Sequence, residues 1–234
     1  MGKKVFVDLT HPFSAEIPRW PYFDKPVIDG KHTMAKGGVL TQYVGCTMHT
    51  GTHCDAPRHV MEVEFDGKRA RYTHEMPVDA YTGDAVCLDI QVERWGLITG
   101  KHLDDACRRA GIDPDSGELE GMVVCLDTGM HLKFDDSKEY YHYSCGTGVE
   151  AGQWFVDHKV KCVAMDMQAL DHPLHTAMYL KIWKTAMKRH HCFQKCLKKA
   201  KTALEPRLKT VFTKALCHIQ MKKSNRLMKA LTNI

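Results

Sequence analysis

Three short apolar runs constrain the fold of this chain more than any other feature of its sequence. Residues 85–90 (AVCLDI), 122–127 (MVVCLD) and 162–166 (CVAMD) each have the length and apolar content of a buried β-strand. Helical spacing follows the first run at residues 102–110, which stop at a glycine, and follows the second at residues 148–158. This alternation predicts a mixed α and β fold.

The N-terminal part of the chain has a different pattern. Residues 5–9 form a β-branched, apolar run that ends at a Thr-His-Pro turn, and they are predicted to form a strand. Residues 17–23 (IPRWPYF) are predicted to be a loop, because their prolines exclude a regular helix. Residues 39–48 are rich in Val, Leu, Tyr and Thr, so we expect a strand that leads directly into residue 49.

Cysteine usage and the N-terminus bear on the compartment. The ten cysteines lie between Cys46 and Cys217 without a CxxC pair, which favours free thiols over a disulfide framework. The start of the chain has no apolar signal segment, and no run approaches the roughly 18 apolar residues of a membrane span. We therefore expect a cytoplasmic protein of one large domain, with no membrane association.

Charge divides the chain in two. Residues 179–234 contain 12 Lys and 3 Arg but a single acid, Glu205, so they carry a net charge of +14. Since the whole chain carries +5, residues 1–178 carry −9, and they also hold all 17 glycines. We therefore predict a domain over residues 1–178. The basic segment that follows has an aberrant composition and is predicted to belong to the same domain.

Residues 49–59 (HTGTHCDAPRH) concentrate three imidazoles and one carboxylate in eleven residues. Histidines four apart are typical of a zinc-binding helix, but the glycine between the first two and the later proline exclude a helix here. We predict a strand that ends in a tight turn, with glycine leaving room for the backbone to fold around an ion. Beyond the turn, His53 and Asp55 are two apart, so in an extended segment they point the same way.

This combination of side chains suits a catalytic metal. Neutral imidazole and carboxylate suit Zn²⁺ or Mn²⁺, and three protein ligands leave a position for water. A metal lowers the pKa of that water and polarises a carbonyl oxygen. His59, beyond the proline, is placed to accept and return a proton. The alternative is that these are structural histidines in a chain that has 15, but so dense a cluster favours a metal site.

The segment HTGTHCDAPRH resembles the HxGTHxDxPxH signature of the cyclase family of metal-dependent hydrolases, which includes bacterial kynurenine formamidases and isatin hydrolases. Every fixed position of that long signature is matched. Residues 7–13 (VDLTHPF) and 17–23 (IPRWPYF) are similar to the family's first strand and aromatic substrate loop. Residues 165–174 (MDMQALDHPL) resemble the isatin-hydrolase branch, so the resemblance covers roughly residues 4–178.

The resemblance implies a single domain of the α/β class with the swivelling β/β/α cyclase-like architecture, a mixed sheet and flanking helices. It also implies a homodimer or higher homo-oligomer that cleaves a C–N amide or lactam bond. Carried onto this chain, His49, His53 and Asp55 would be metal ligands and His59 the general acid/base. Gln168 would be a further ligand or would orient water; alternatively, it is a polar residue that closes a strand.

Two aromatic residues are candidates for substrate binding. By the same resemblance, Trp20 and Phe23 would form a wall against a planar substrate, offered across the subunit interface in some arrangements. The alternative is ordinary packing in the core or at an interface.

The chain departs from the family after residue 178. Kynurenine formamidases supply further metal ligands from a late segment with a histidine and then a glutamate. If Glu205-Pro206 matches the family's Glu-Pro pair, Leu208 stands in place of the histidine and Gln220 in place of the glutamate. Three explanations are open: divergence with Gln168 and water completing the metal site, an error in the sequence, or a basic tail that binds a partner.

Two functions are therefore compared. The first is hydrolysis of a cyclic amide or an arylformamide by metal-activated water, with the Gln-Ala-Leu-Asp-His-Pro run favouring an isatin-hydrolase-like reaction and a lactone as a further substrate class. The second is a catalytically silent metal-binding protein whose basic tail mediates interactions. A small-molecule substrate is expected; a nucleic-acid partner is not, because no nucleic-acid-binding motif is present.

Overall fold

The computed structural model describes residues 5–173. Seven strands are present in this part of the chain: β1 (Val27–His32), β2 (Thr41–Gly45), β3 (Ala85–Asp89), β4 (Leu97–Ile98), β5 (Val123–Asp127), β6 (Gly146–Thr147) and β7 (Cys162–Met165). Four α-helices accompany them: α1 (Met34–Gly37), α2 (Gly100–Arg109), α3 (Lys138–His142) and α4 (Val149–Asp157). Short 3-10 helices occupy several of the connections.

The three apolar runs form one parallel sheet in the order β3-β5-β7. All three strands were predicted from sequence, and their bounds agree to within one residue. One face of this sheet is buried, as shown by Leu88, Val124 and Leu126. A parallel sheet needs crossover connections, and the chain provides them as helices between successive strands.

Helices α2 and α4 cover the buried face. In α2 the buried residues are Leu103, Ala106 and Cys107, and α4 buries Ala151, Trp154 and Phe155 with the same spacing of three and four residues. The Trp154 indole N–H donates to the Asp104 carboxylate (2.7 Å), which ties the two helices together. Both predicted helices are confirmed. The chain leaves α2 through Gly111 in the left-handed conformation (φ +80°), as predicted for its glycine stop.

The predicted strand at residues 39–48 is confirmed in a shorter form as β2. It pairs antiparallel with β1 in a separate two-stranded sheet. Among residues 5–173, parallel and antiparallel pairing therefore lie in different sheets rather than in one mixed sheet. The prediction of α and β elements with flanking helices is confirmed.

The strand predicted at residues 5–9 is wrong. This segment pairs with no strand within the described part of the chain, and the side chains of Phe6 and Leu9 are 94% and 84% exposed. Instead, the Asp8 carboxylate accepts the Thr10 backbone N–H (2.9 Å), a local turn that lowers the pKa of that carboxyl. An apolar, β-branched run becomes a strand only when another strand supplies its hydrogen bonds.

Several expectations concern other properties. The cysteines of residues 5–173 are free thiols, as predicted. No helix in this range is both long and apolar enough to cross a membrane. The expectations for residues 179–234, including those for Glu205-Pro206, Leu208 and Gln220, lie outside the described residues.

Candidate metal centre

The histidine-rich segment begins after β2 ends at Gly45. It is not a helix, as predicted, but three residues separate the strand from His49, so the strand does not lead directly into it. Thr50 forms an isolated antiparallel bridge with Arg19, which brings the proline-rich loop against the turn. The chain then reverses direction at Gly51, and the histidine-rich segment ends in a 3-10 helix, Pro57–His59.

Glycine is required at position 51 for two reasons. Its φ is +73°, in the left-handed region that other residues rarely adopt. A Cβ atom there would also lie 3.2 Å from Ile17 Cδ1 and 3.3 Å from Phe13 Cδ2. Ile17 is buried and leaves little room for adjustment. The turn that precedes His53 therefore depends on this residue.

Hydrogen bonds from distant parts of the chain hold the turn. The Tyr81 hydroxyl donates to the Asp55 backbone carbonyl (3.3 Å), and the His11 backbone N–H donates to the Thr52 hydroxyl (3.1 Å). The His11 ring stacks on Phe134 with 3.7 Å between ring centroids. Residues that precede the turn in sequence and residues that follow it therefore both hold it in place.

The predicted ligand atoms converge. His49 Nδ1 lies 2.9 Å from Asp55 Oδ1 and 3.1 Å from His53 Nε2, and His53 Nε2 lies 3.5 Å from Asp55 Oδ1. Ligands held about 2.0–2.2 Å from one ion are themselves about 3.0–3.4 Å apart. The three atoms therefore form a triangle of the size that a divalent cation requires, and their nitrogen and oxygen chemistry fits Zn²⁺ or Mn²⁺.

His59 lies at the edge of this triangle. Its ring centroid is 3.9 Å from that of His49, and the two rings are inclined at 43°. His49, Asp55 and His59 each offer one ligand atom, and these atoms all lie within 4.8 Å of one another. His59 is exposed and sits on the 3-10 helix that follows Ala56. From this position its imidazole can exchange protons with water beside the cluster.

The environment of His49 favours a neutral imidazole. Partial burial lowers the pKa of His49, and the neighbouring His59 lowers it further, although Asp55 opposes the shift. His53 Nδ1 is 2.7 Å from the Gly51 carbonyl oxygen, so Nδ1 carries the proton. That hydrogen bond leaves the lone pair of Nε2 directed toward His49 and Asp55. The tautomer of His53 is therefore the one that can bind a metal through Nε2.

The two aromatic candidates are placed differently. The Phe23 ring centroid is 6.4 Å from that of His49, so Phe23 borders the cluster. Trp20 is half-buried, and its carbonyl oxygen accepts the Phe23 backbone N–H (2.9 Å). The structure thus brings Phe23 to the site, with Trp20 one turn earlier in the same loop. Their roles toward a substrate stay predictions.

Gln168 follows β7 by three residues. Its side-chain oxygen is buried and has no hydrogen-bond donor among residues 5–173. Leaving such an atom unsatisfied costs about 1–3 kcal/mol, so this oxygen is expected to meet a partner such as a cation or a water molecule. Its role as a further ligand stays a prediction.

A second group of possible ligands, which was not predicted from the sequence, lies outside residues 49–59. Asp127, His131 and Asp166 each offer a ligand atom within 4.8 Å of the others. Burial raises the pKa of Asp166, but hydrogen bonds from Thr128 and His131 lower it more, so the net pKa is below its usual value. One sequence feature could have indicated this cluster: Asp127 and Asp166 are each the last residue of a predicted strand.

Fold and site together define a mixed α/β protein with a His/Asp cluster able to hold a divalent cation. The model of the Cyclase family, described as "Putative cyclase", matches residues 7–172, well over half of the chain. The chain belongs to this family. No curated protein matches it at a significant level.

Solved structures share the fold. Isatin hydrolase A from Labrenzia aggregata, bound to benzyl benzoate, matches with a TM-score of 0.59 at 19% sequence identity. The aligned residues cover 74% of this chain and 72% of that chain. An isatin hydrolase bound to the product analogue thioisatinate matches with a TM-score of 0.61 at 16% identity, and the aligned residues cover 71% of this chain and 68% of that chain. A "predicted metal-dependent hydrolase" from Bacillus stearothermophilus matches with a TM-score of 0.51 at 20% identity, and the aligned residues cover 72% of this chain and 74% of that chain.

Proposed function

We propose that this protein is a metal-dependent hydrolase that cleaves the C–N bond of a cyclic amide or an arylformamide. The observation that carries the proposal is the convergence of His49, His53 and Asp55 into a triangle of metal-binding size, with His59 beside it. Proteins of similar fold are described as isatin hydrolases and as a predicted metal-dependent hydrolase, which supports this class of reaction.

The residues of the proposed site bind the metal and set the protonation of its histidine ligands. When bound, a divalent Zn²⁺ or Mn²⁺ ion would lower the pKa of water and polarise the substrate carbonyl. His49, His53 and Asp55 would hold it, with Gln168 as a further ligand. The Gly51 carbonyl keeps the proton of His53 on Nδ1, which leaves Nε2 unprotonated. The depressed pKa of His49 keeps that imidazole neutral near pH 7, as a metal ligand must be.

His59 moves the proton. In hydrolysis, the oxygen of water forms a bond to the carbonyl carbon, and the C–N bond then breaks. His59 accepts one proton from water and donates it to the leaving nitrogen, and the other proton leaves when the new carboxylic acid ionises. The products are therefore a carboxylate and an amine. For a cyclic amide both groups stay on one molecule, because the reaction opens the ring.

A planar aromatic substrate suits the approach to the cluster. Phe23, whose ring centroid is 6.4 Å from that of His49, offers an aromatic face there, and Trp20 extends the same loop. The run from Gln168 to Pro173 resembles the isatin-hydrolase branch, so an isatin-like lactam is preferred over an arylformamide or a lactone. In the structure this run is anchored by a parallel bridge between Asp171 and Thr147.

Hydrolysis assays test the proposal. The full chain, loaded with Mn²⁺ or Zn²⁺, is incubated with isatin, N-formylkynurenine and an aromatic lactone, and ring opening or deformylation is followed by absorbance. We expect isatin to be consumed fastest, and a chelator to abolish the reaction until metal is restored. Folded, metal-loaded protein that hydrolyses none of the three would overturn the proposal. Salt-dependent binding of nucleic acid in that case would favour the silent protein with a basic tail.

The finer architecture belongs to the same proposal. We expect the swivelling β/β/α arrangement and a homodimer or higher oligomer. The β1–β2 hairpin supports an oligomer, since every residue of β1 is exposed and Val27, Tyr43 and Val44 each present apolar surface. Sedimentation equilibrium measures the mass directly, and a monomer at micromolar concentration would contradict the expected assembly.

A further inference from the structure

A second group of metal-binding side chains lies at the carboxyl edge of the parallel sheet. Asp127 is the last residue of β5, and Asp166 directly follows β7. Because β5 and β7 are adjacent and parallel, their carboxyl ends meet at one edge of the sheet. His131 belongs to the 3-10 helix Met130–Lys133, which begins three residues after β5. Residues far apart in sequence are thereby gathered at one place.

The geometry of this cluster is that of a ligand set. His131 Nδ1 lies 3.0 Å from Asp166 Oδ2 and 3.6 Å from Asp127 Oδ1. One atom from each of the three residues lies within 4.8 Å of the other two. These separations are close to the roughly 3.0–3.4 Å expected between ligands of a common ion, so only a small movement of the half-exposed Asp127 would complete the set.

Backbone groups hold the two carboxylates in place. The Thr128 backbone N–H and hydroxyl donate to Asp166 Oδ1 (3.1 and 2.6 Å), and the His131 backbone N–H donates to Oδ2 (3.2 Å). The Gly129 backbone N–H donates to Asp127 Oδ1 (3.2 Å). Asp166 is only 13% exposed in its side chain, so its position is set before any ligand arrives. Such preorganisation is typical of a built site.

Charge also points to a cation. Among residues 5–173, His131 is the only basic side chain within ion-pair distance of either Asp127 or Asp166. Within the described residues, no Lys or Arg side chain therefore pairs with either of the two carboxylates. One of these charges, that of Asp166, is largely buried, and within the described residues it is stabilised by hydrogen bonds from Thr128 and His131.

We propose that Asp127, His131 and Asp166 bind a second divalent cation, separate from the His49/His53/Asp55 centre. Two carboxylate oxygens and one imidazole nitrogen form a harder ligand set than the histidine-rich centre, which shifts its preference toward hard ions such as Mn²⁺. Bound there, the ion replaces the hydrogen-bonded proton between His131 and Asp166 and links the end of β5 to the end of β7. Its role is structural, and it is independent of the proposed hydrolysis.

Metal stoichiometry tests this inference. Equilibrium dialysis of the full chain against Mn²⁺, with electron paramagnetic resonance of the bound ion, should give two equivalents for the natural sequence. His131→Gln should lose one equivalent and His53→Gln the other, whereas His74→Gln, an exposed histidine outside both clusters, should keep two. Two equivalents retained in His131→Gln would overturn the inference and leave an ordinary hydrogen-bonded pair. A single equivalent in the natural sequence would overturn it if His131→Gln keeps that equivalent, and would support it if His131→Gln loses it.

A second variant guards against misfolding. If circular dichroism shows that His131→Gln is unfolded, Asp127→Asn takes its place, because Asp127 is half-exposed and accepts only a backbone N–H from Gly129 within the described residues. The second dissociation constant should rise at least tenfold, since even groups outside the ligand shell change metal affinity by about 10–100-fold. An unchanged constant counts against the site. Neither measurement depends on turnover, so failure of the hydrolase proposal leaves this one standing.

Discussion

His49 Nδ1 lies 2.9 Å from Asp55 Oδ1, although six positions separate the two residues in sequence. The left-handed turn at Gly51 allows this approach, because it reverses the chain between them. His53 Nε2 completes the triangle at 3.1 Å from His49. A nitrogen and an oxygen at this separation can share a proton, and together with His53 Nε2 they can also hold a cation.

Replacing His59 by alanine should slow hydrolysis with little effect on the fold. His59 is exposed and is assigned the proton transfer, so kcat should fall by about 10²–10⁴-fold, the usual contribution of a general acid/base. Metal content measured by plasma mass spectrometry should stay unchanged, because three other ligands remain. His74→Ala is the matched control. Loss of the metal together with activity would instead make His59 a ligand.

Replacing Asp55 by asparagine should weaken metal binding. The carboxylate is the only negative charge of the triangle, and the amide that replaces it cannot neutralise the cation. We expect the dissociation constant for Zn²⁺, measured by competition with a chromophoric chelator, to rise by at least about 10–100-fold. Asp157→Asn, an exposed change at the end of α4, should leave it as it was. Equal affinities for the two variants would exclude Asp55 as a ligand.

Phe23 should affect substrate binding more than the chemical step. Its ring borders His49, so Phe23→Ala removes an aromatic face without removing a proton carrier or ligand. With isatin as substrate, KM should rise about tenfold or more while kcat changes less, since stacked aromatic contacts contribute about 0.5–1.5 kcal/mol beyond the area they bury. Phe65→Ala, an exposed change outside the site, is the control. A loss confined to kcat would contradict this role.

Gly51→Ala should destabilise the protein and disturb the metal site together. A Cβ atom at φ +73° is strained, and it would press on Ile17 and Phe13. We expect the free energy of unfolding, measured with urea, to fall by about 1–3 kcal/mol. Gly67→Ala is a useful comparison, because it has a similar φ of +82° but open space around its Cβ. If both variants lost the same stability, the close contact at Gly51 would be irrelevant.

The pair of Glu64 and Arg71 should make stability depend on pH in the acid range. Hydrogen bonds from the Arg71 side chain, and then from its backbone N–H, lower the pKa of Glu64 in the folded state. The unfolded chain then binds more protons, so this contribution is complete above the unfolded pKa and is lost as pH falls through the folded pKa. Urea midpoints of Glu64→Gln and Glu118→Gln, compared at pH 7 and pH 4, test this. Only Glu64→Gln should flatten the dependence on pH.

Local patterns predicted most secondary structure because they depend on neighbouring residues alone. The apolar runs of β3, β5 and β7 and the spacing of α2 and α4 were read directly, as were the non-helical turn and its glycine. Residues 5–9 have the same apolar, β-branched character, yet they form no strand in the structure. Strand formation needs a partner from elsewhere in the chain, which local sequence does not specify.

The sequence alone determined the chemistry of the first cluster, because its histidines and aspartate fall within eleven residues and one turn. Tertiary structure alone decided which distant groups meet. Parallel pairing of β5 with β7 places Asp166 beside His131, 35 positions away, and the loop bridge to Thr50 brings Phe23 to His49. The physical reason is that strand register and chain packing are set by contacts over the whole domain, whereas a turn is set by its own residues.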